Sequence, residues 1–367
     1  MAELRTERET LDHIRDVGVR ALTLDDDVVS MSHGAGGKAS SALIDAVFIE
    51  AFGQPHPDEL TDAAVLELPG FRAVEAPTRI AYTTDSYVVN PLRFPGASIG
   101  DLAVNGTVND LAVTGAQPLA LSSAFIIEEG FSIAELRSHV QDMRAAADRA
   151  GVRIVTGDTK VVPKGAADQV FINTSGIGVI PADRVLGARQ VAVGDAVILS
   201  GPIAAHGMAV MIARGNLDIT ADISSDSAPV NGWVEAMYAA VDSADIRWMR
   251  DATRGGLATV TNELAQDTGL GILLDDEAIP VAPEVRGACE MLGIDPLYVA
   301  NEGCFVAVVA DAATDAAVEA LRTAGADQAV CIGRVTDELQ ALVATRNAFG
   351  GTRLVDMPSS DLLPRIC

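Results

Sequence analysis

Apolar and polar positions alternate along this chain in two rhythms. RIAYTTDSYVV (79–89), QVFINTSGIGVI (169–180), DAVILSG (195–201), GILLDD (271–276) and CFVAVVA (304–310) are short and rich in β-branched residues. Each is bounded by Gly, Asp or Pro and predicts a strand. Between them runs a helical period. FSIAELRSHVQDMRAAADRAG opens on Ser132 with Glu135 three residues on, a capping box, and Gly151 ends it. Its apolar stripe is Ile133, Leu136, Val140 and Met143. DAATDAAVEALRTAG repeats the design, with Val318 and Leu321 inward and Gly325 as the stop. Strands and helices alternate without the regularity of a barrel, which predicts a mixed α/β or α+β chain.

A break between a strand ending at Pro181 and one starting after Gly194 places a domain boundary within 182–192. The expected organisation is an N-terminal extension with a glycine-rich loop over 1–44 and a first domain over 45–185. A second domain over 190–345 and a flexible tail over 346–367 complete it. The tail, RNAFGGTRLVDMPSSDLLPRIC, has paired glycines, prolines and little periodicity, and it finishes on a bare thiol, Cys367. Fully extended from Gly350 it reaches about 55 Å, at roughly 3.3 Å per residue.

A chain of 367 residues exceeds one ordinary core, in agreement with two domains. The formal charge of −25 disfavours nucleic acid and anionic membranes, whose phosphates need clustered Lys and Arg. No apolar run is long enough to span a bilayer, and the charged N-terminus lacks a signal-peptide core. The four cysteines show no CxxC spacing, and with five histidines they make no zinc pattern. A cytoplasmic protein with reduced thiols is expected.

SHGAGGKAS resembles a phosphate-binding P-loop but lacks its first glycine, where Ser32 stands, and its final hydroxyl, where Ala39 stands. Gly34, Gly36 and Gly37 still let backbone N–H groups approach an anion, with Lys38 adding charge and His33 adjacent. A flexible turn before a helix explains the same residues equally well. Four aspartates, Asp62, Asp85, Asp110 and Asp251, end apolar segments or sit in Thr/Gly/Asn-rich turns, where carboxylates suit Mg²⁺. Each alone reads as a turn or cap residue; the group is more persuasive. GASIGDLAVNGTVNDLAVTGAQP keeps a helical stripe of Ile99, Leu102, Val108 and Leu111, interrupted by Asn105, Asn109 and Asp110. Propensity does not favour those three, so either a site or a solvated polar side accounts for them. VTGDTKVV sets Asp158, Thr159 and Lys160 between apolar runs, expected to be partly buried. VANEGCFVAVVA puts Glu302 before an apolar strand, where desolvation would raise its pKa as a general base requires.

Together these segments resemble the superfamily of aminoimidazole ribonucleotide synthetase, selenophosphate synthetase and thiamine-monophosphate kinase. Within it, HGAGG and the terminal PRIC are similar to the hydrogenase-maturation HypE family; the KGAADQ turn (164–169) finds no role in the comparison. The resemblance implies a two-domain aminoimidazole ribonucleotide synthetase-like fold with a flexible C-terminal tail and a homodimer through the first domain's sheet. It implies ATP and Mg²⁺ as cofactors. His33, Gly34, Gly36, Gly37, Lys38, Asp62, Asp85, Asn105, Asp110, Asp158, Thr159 and Arg254 would bind the nucleotide. Asp62, Asp85, Asp110 and Asp251 would hold metal. Cys367, Glu302 and Lys160 would be catalytic. The implied activity is ATP-dependent dehydration of a carbamoyl group, loaded on Cys367 by the carbamoyltransferase HypF, to a thiocyanate. The cyano group would pass to HypC–HypD for the iron of a [NiFe]-hydrogenase. A small-molecule kinase or ligase of the same superfamily, or a non-catalytic thiol carrier, are the competing readings.

Overall fold

The computed structural model describes residues 38–43, 46, 64–73, 76–215, 221–358, 363 and 365–367. After α1 (Lys38–Leu43), the first domain runs β1 (Ala64–Ala73), β2 (Ala76–Tyr87), the hairpin β3 (Arg93–Phe94) and β4 (Ala97–Ser98), and α2 (Ile99–Val113). It continues with β5 (Gln117–Glu128), α3 (Ile133–Ala150), β6 (Arg153–Val162) and β7 (Val170–Ile180). Five of these strands form one sheet in the order β1-β2-β7-β5-β6. Only β5 and β6 are parallel, as the α3 crossover between them requires. One row across the sheet joins Asp85, Thr174, Ser123 and Gly157.

The second domain contains β8 (Ala196–Leu199), α4 (Ala205–Ala213), α5 (Asn231–Ala240), β9 (Ile246–Asp251), α6 (Gly256–Thr268) and β10 (Gly271–Asp275). Then follow α7 (Pro283–Leu292), β11 (Phe305–Val309), α8 (Thr314–Thr323), β12 (Val330–Thr336), β13 (Val343–Arg346) and β14 (Thr352–Val355). Its sheet has the order β14-β13-β10-β12-β8-β11-β9. β11 lies between β8 and β9, and all five of its residues are buried, which is why FVAVV carries no polar alternation. All five strand-like runs of the sequence are strands here, and β7 and β8 end and begin on either side of the expected break.

Helix α2 begins at a capping box between Ser98 and Asp101, and almost every residue in it is buried. It packs on β2, β7 and α3 within the first domain and on α5 and β9 of the second, so no side is left for solvent. A single hydrophobic core accordingly spans both domains, from Tyr87 and Leu102 to Val306 and Ile332. The alternative of a solvated polar side for this helix is therefore excluded.

Two expectations are corrected. In α3, Ser132 accepts from the Glu135 N–H and Gly151 ends the helix in the left-handed region, but the buried side is His139, Met143, Ala146, Ala147 and Ala150. Ile133 is 74% exposed and Val140 44%. The buried face turns toward α2, which approaches closely at Gly100: a Cβ there would lie 2.2 Å from the His139 carbonyl oxygen. The stretch 346–367 is not all loose tail. Its paired glycines make the turn of a β13–β14 hairpin, in which Asn347 Oδ1 accepts from the Phe349 and Gly351 N–H groups and Gly350 takes φ +79. Among the described residues no helix is long and apolar enough to cross a membrane.

Candidate active site

The end of β2, the end of α2 and the turn from β9 into α6 converge on one cavity of about 320 Å³. Asp85, Asp110, Asp251 and Arg254 line it, with Arg250 and Glu263 paired at its wall. The Thr83 hydroxyl donates to Asp110 at 2.7 Å. Burial raises the Asp85 pKa, while the Arg254 guanidinium opposes the rise. Among the described residues no three His, Cys, Asp or Glu side chains converge closely enough to hold a metal by themselves. Three carboxylates facing one cavity fit a hard cation that takes one or two of them and completes its shell with water and phosphate oxygens.

Glu302 stands just before β11, only 4% exposed. Burial first, then the neighbouring Asp251, Asp85 and Asp226 carboxylates, push its pKa well above the ordinary range against the pull of Arg254. The loop at Asp226 fixes its backbone: the Asp226 carboxylate accepts from the Glu302 N–H at 3.2 Å and the Gly303 N–H at 3.0 Å. Asn109 bolts the same loop to α2. Its amide donates to the Ala228 and Glu302 carbonyls at 3.0 and 3.2 Å, and its oxygen accepts from the Val230 N–H at 2.8 Å. Asn105 donates to Ser227 at 3.0 Å, leaving its own buried oxygen without a partner. The asparagines that propensity disfavoured thus tie the domains together around Glu302.

The chain end enters this region. The Val88 and Asn90 N–H groups donate to the Cys367 and Arg365 carbonyls, both at 3.2 Å, a two-bond antiparallel pairing. Leu363 and Ile366 sink into the shared core. The Arg254 Nε–H donates to Cys367 Sγ at 3.1 Å. Burial nevertheless pushes the thiol up to about 12, with Glu302 and Asp85 adding to the rise and Arg254 opposing it. His206, lowered to about 4 by burial, is neutral. Because the Ile366 carbonyl can only accept, the His206 Nε2–H donates to it at 2.6 Å, and Nδ1 accepts from the Ser225 hydroxyl at 2.9 Å.

Among the expected site residues, Asp85, Asp110, Asp251, Arg254, Glu302 and Cys367 are therefore brought together, with Asn105 behind them. Others are not. Lys38 pairs with Asp356 at 2.6 Å rather than reaching the cavity. Asp158, Thr159 and Lys160 lie on β6, which is exposed throughout, not partly buried. Lys160 pairs with Asp158 at 2.6 Å. They sit three strands from Asp85, about 14 Å at the usual strand spacing, and alternation puts Lys160 on the opposite face of the sheet. Lys160 and Glu302 do not meet within one subunit. His33, Gly34, Gly36, Gly37 and Asp62 lie outside the described residues. Asp226 and His206 escaped the sequence reading. Asp226 lies in DISSDSAPV, whose polar run has no period to mark it.

Comparison with known proteins identifies the family of this fold. Residues 60–180 match the AIR synthase related protein, N-terminal domain, and residues 192–343 the corresponding C-terminal domain. The chain is 49% identical to carbamoyl dehydratase HypE of Rhodobacter capsulatus over 94% of its length and 100% of the relative's. It is 42% identical to carbamoyl dehydratase HypE of Escherichia coli K12 over 92% of this chain and 99% of that one. Among solved structures, HypE in a HypE–HypF complex superposes with a TM-score of 0.79 at 45% identity, covering 86% of this chain and 100% of that one. HypE in complex with ATP gives 0.75 at 42%, covering 93% and 100%. The two-domain fold, the converging acids and these full-length matches have one reading: this chain belongs to the HypE family of AIR synthase related proteins.

Proposed function

We propose that this chain is an ATP-dependent carbamoyl dehydratase that turns a thiocarboxamide on Cys367 into a thiocyanate, the source of a cyanide ligand for a [NiFe]-hydrogenase iron. The observation that best supports it is the approach of the chain-terminal sulfur to within 3.1 Å of Arg254, beside the acid-lined cavity and Glu302. HypE–HypF and HypE–ATP complexes of relatives support HypF as the carbamoyl donor and ATP as the co-substrate. HypC–HypD as acceptor and a homodimer follow from the family reading.

A primary amide oxygen is a poor leaving group. Transfer of the γ-phosphoryl group to that oxygen releases ADP and one of the two nitrogen protons and makes an O-phosphorylated imidate. Loss of the nitrogen proton then forms S–C≡N, and the oxygen departs with phosphate, so the atoms of one water leave the cargo. Asp85, Asp110 and Asp251 are the residues that would hold Mg²⁺, which supplies charge neutralisation at the phosphates. Arg254 orients the sulfur and opposes charge growing next to it. Glu302, desolvated and therefore basic once ionised, takes the nitrogen proton.

Lys160 enters only through a second copy. The open face of the first sheet exposes Tyr82, Ile126 and Ile177 at 41–45%, an apolar surface of the kind a dimer covers. The function is tested by intact mass after carbamoylation and ATP. A loss of about 18 Da that is absent in Cys367→Ala is expected from the water removed; an unchanged mass with ATP consumed rejects the reading.

A further inference from the structure

The KGAADQ turn, residues 164–169, joins β6 to β7 and is held in one shape. The Glu128 carboxylate accepts from the Gly165 N–H at 2.5 Å and the Gln169 N–H at 3.0 Å, and the Glu128 N–H donates to the Gln169 carbonyl at 2.8 Å. Gln169 is left-handed, φ +68, a conformation a non-glycine residue keeps only when its surroundings enforce it. What this turn presents is Asp168.

Asp168 Oδ2 accepts from Arg365 Nη1 at 2.6 Å and, more loosely, from the Asn90 amide at 3.4 Å. Arg365 Nε donates to the Val88 carbonyl at 3.1 Å, and Arg365 itself is left-handed at φ +57. From the other side, Arg214 donates to the Arg365 carbonyl at 2.6 Å and to the Asn90 carbonyl at 2.8 Å. The donors on Arg214, His206, Val88 and Asn90 all reach backbone oxygens of residues 365–367, so they carry no side-chain information. Asp168 is the carboxylate that meets the Arg365 side chain.

We propose that the β6–β7 turn is a receptor for the chain's own terminus, with Asp168 as the positioning residue that recognises Arg365 and thereby sets Cys367 Sγ against Arg254. The juxtaposition is directional: Arg365 is two residues from the sulfur, and its fork is fixed at both Asp168 and Val88. This deepens the proposed function by naming what selects and aligns the substrate arm.

The test uses the full chain with Asp168→Arg, Arg365→Asp and the two combined, plus Asp168→Asn as a conservative variant and a melting curve for each. Alkylation of Cys367 by iodoacetamide, followed on the C-terminal peptide, needs neither ATP nor cargo. Each single reversal is expected to speed it by about 1.5- to fivefold, the range for a half-exposed ion pair. The same variants should slow the ATP-dependent mass loss of carbamoylated chain by a similar factor. The combined reversal should restore both. Wild-type alkylation in Asp168→Arg, or a double variant no better than the singles, overturns the proposal. If alkylation behaves as expected while no mass loss occurs in any chain, the receptor stands and the dehydratase reading falls.

Discussion

Gly303→Ala is the substitution to which the site should be most sensitive for its size. A Cβ there would lie 1.9 Å from the Asp226 carbonyl oxygen and 3.0 Å from the Ala228 nitrogen. The first distance falls roughly 1.5 Å short of ordinary contact, near 3.5 Å. Both obstacles are backbone, so no rotamer relieves them and the 226–228 loop must retreat. That loop supplies the carboxylate for the Glu302 and Gly303 N–H groups and the carbonyl that Asn109 holds. Overpacking of this kind costs about 1–3 kcal/mol, and each hydrogen bond lost adds about 1 kcal/mol. The sum, about 2–5 kcal/mol, corresponds to a fall of about 3–6 °C in Tm for a cooperative chain of this length. Turnover should fall further, about 100-fold, since displacements near 1 Å cost that much in positioning. Scanning calorimetry and the mass-loss assay measure the two separately. Glu302→Gln is the control, with Tm nearly unchanged and turnover reduced by about 10²–10⁴. A Gly303→Ala protein with wild-type Tm and wild-type turnover would refute the close packing of this loop on Glu302.

Lys160→Ala and Glu302→Gln chains should each be inactive alone. If the two residues meet only across a dimer, statistical subunit exchange makes half the dimers mixed, each with one intact site, and about a quarter of wild-type turnover returns; no recovery on mixing would refute the shared site. Asn109→Ala removes the partners of the Ala228 carbonyl and the Val230 N–H and one of two donors to the Glu302 carbonyl, and should lower stability by about 2–4 kcal/mol in a denaturant titration; a change below 1 kcal/mol would show that water replaces the side chain at no cost. Asp226 is raised by burial to about 6, so between pH 4 and 6 the native state binds a proton that the unfolded chain has released, and stability from this group falls as pH rises. Relative to Asp226→Asn, wild type should lose up to about 2 kcal/mol over that window. A difference independent of pH would mean that the carboxyl titrates normally.

Local signals were readable where one element's pattern was set by its own neighbours. β11 and β7 are apolar or alternating because of the layers above and below them, and the glycine at the end of α3 is needed by the backbone itself. Position in space was harder. Val140 looks like a core residue by period, yet the face of α3 turned to α2 is the one carrying His139, Met143 and the alanines at 146, 147 and 150. The tail looked loose because a four-residue strand, Thr352–Val355, has too few positions to show a period, and its glycines signal a turn and a linker alike. Asp85 and Asp251 were found because strand ends converge in such folds. Asp226 and Asp168 were missed because each acts from a short polar loop whose only distinction is which backbone or side chain it faces. Lys160 exposes the limit most directly, since a single chain's register puts it on the wrong side of its own sheet.

The protonation of Cys367 adds an order of events. A thiol held near 12 is almost wholly protonated at neutral pH, and the protonated sulfur is a weak nucleophile. The docked arm is therefore poorly suited to receive a carbamoyl group, whatever partner presents it. The same burial does not penalise the loaded arm, because a thiocarboxamide sulfur has no proton to lose and no charge to desolvate. An empty arm is chemically quiet inside and reactive outside; a loaded arm can enter without that electrostatic cost. On the proposed chemistry, burial that looks like a defect in a nucleophile suits an arm charged in one place and processed in another. Asp168 and Arg365 supply what burial alone cannot, a reason for the arm to return in one register.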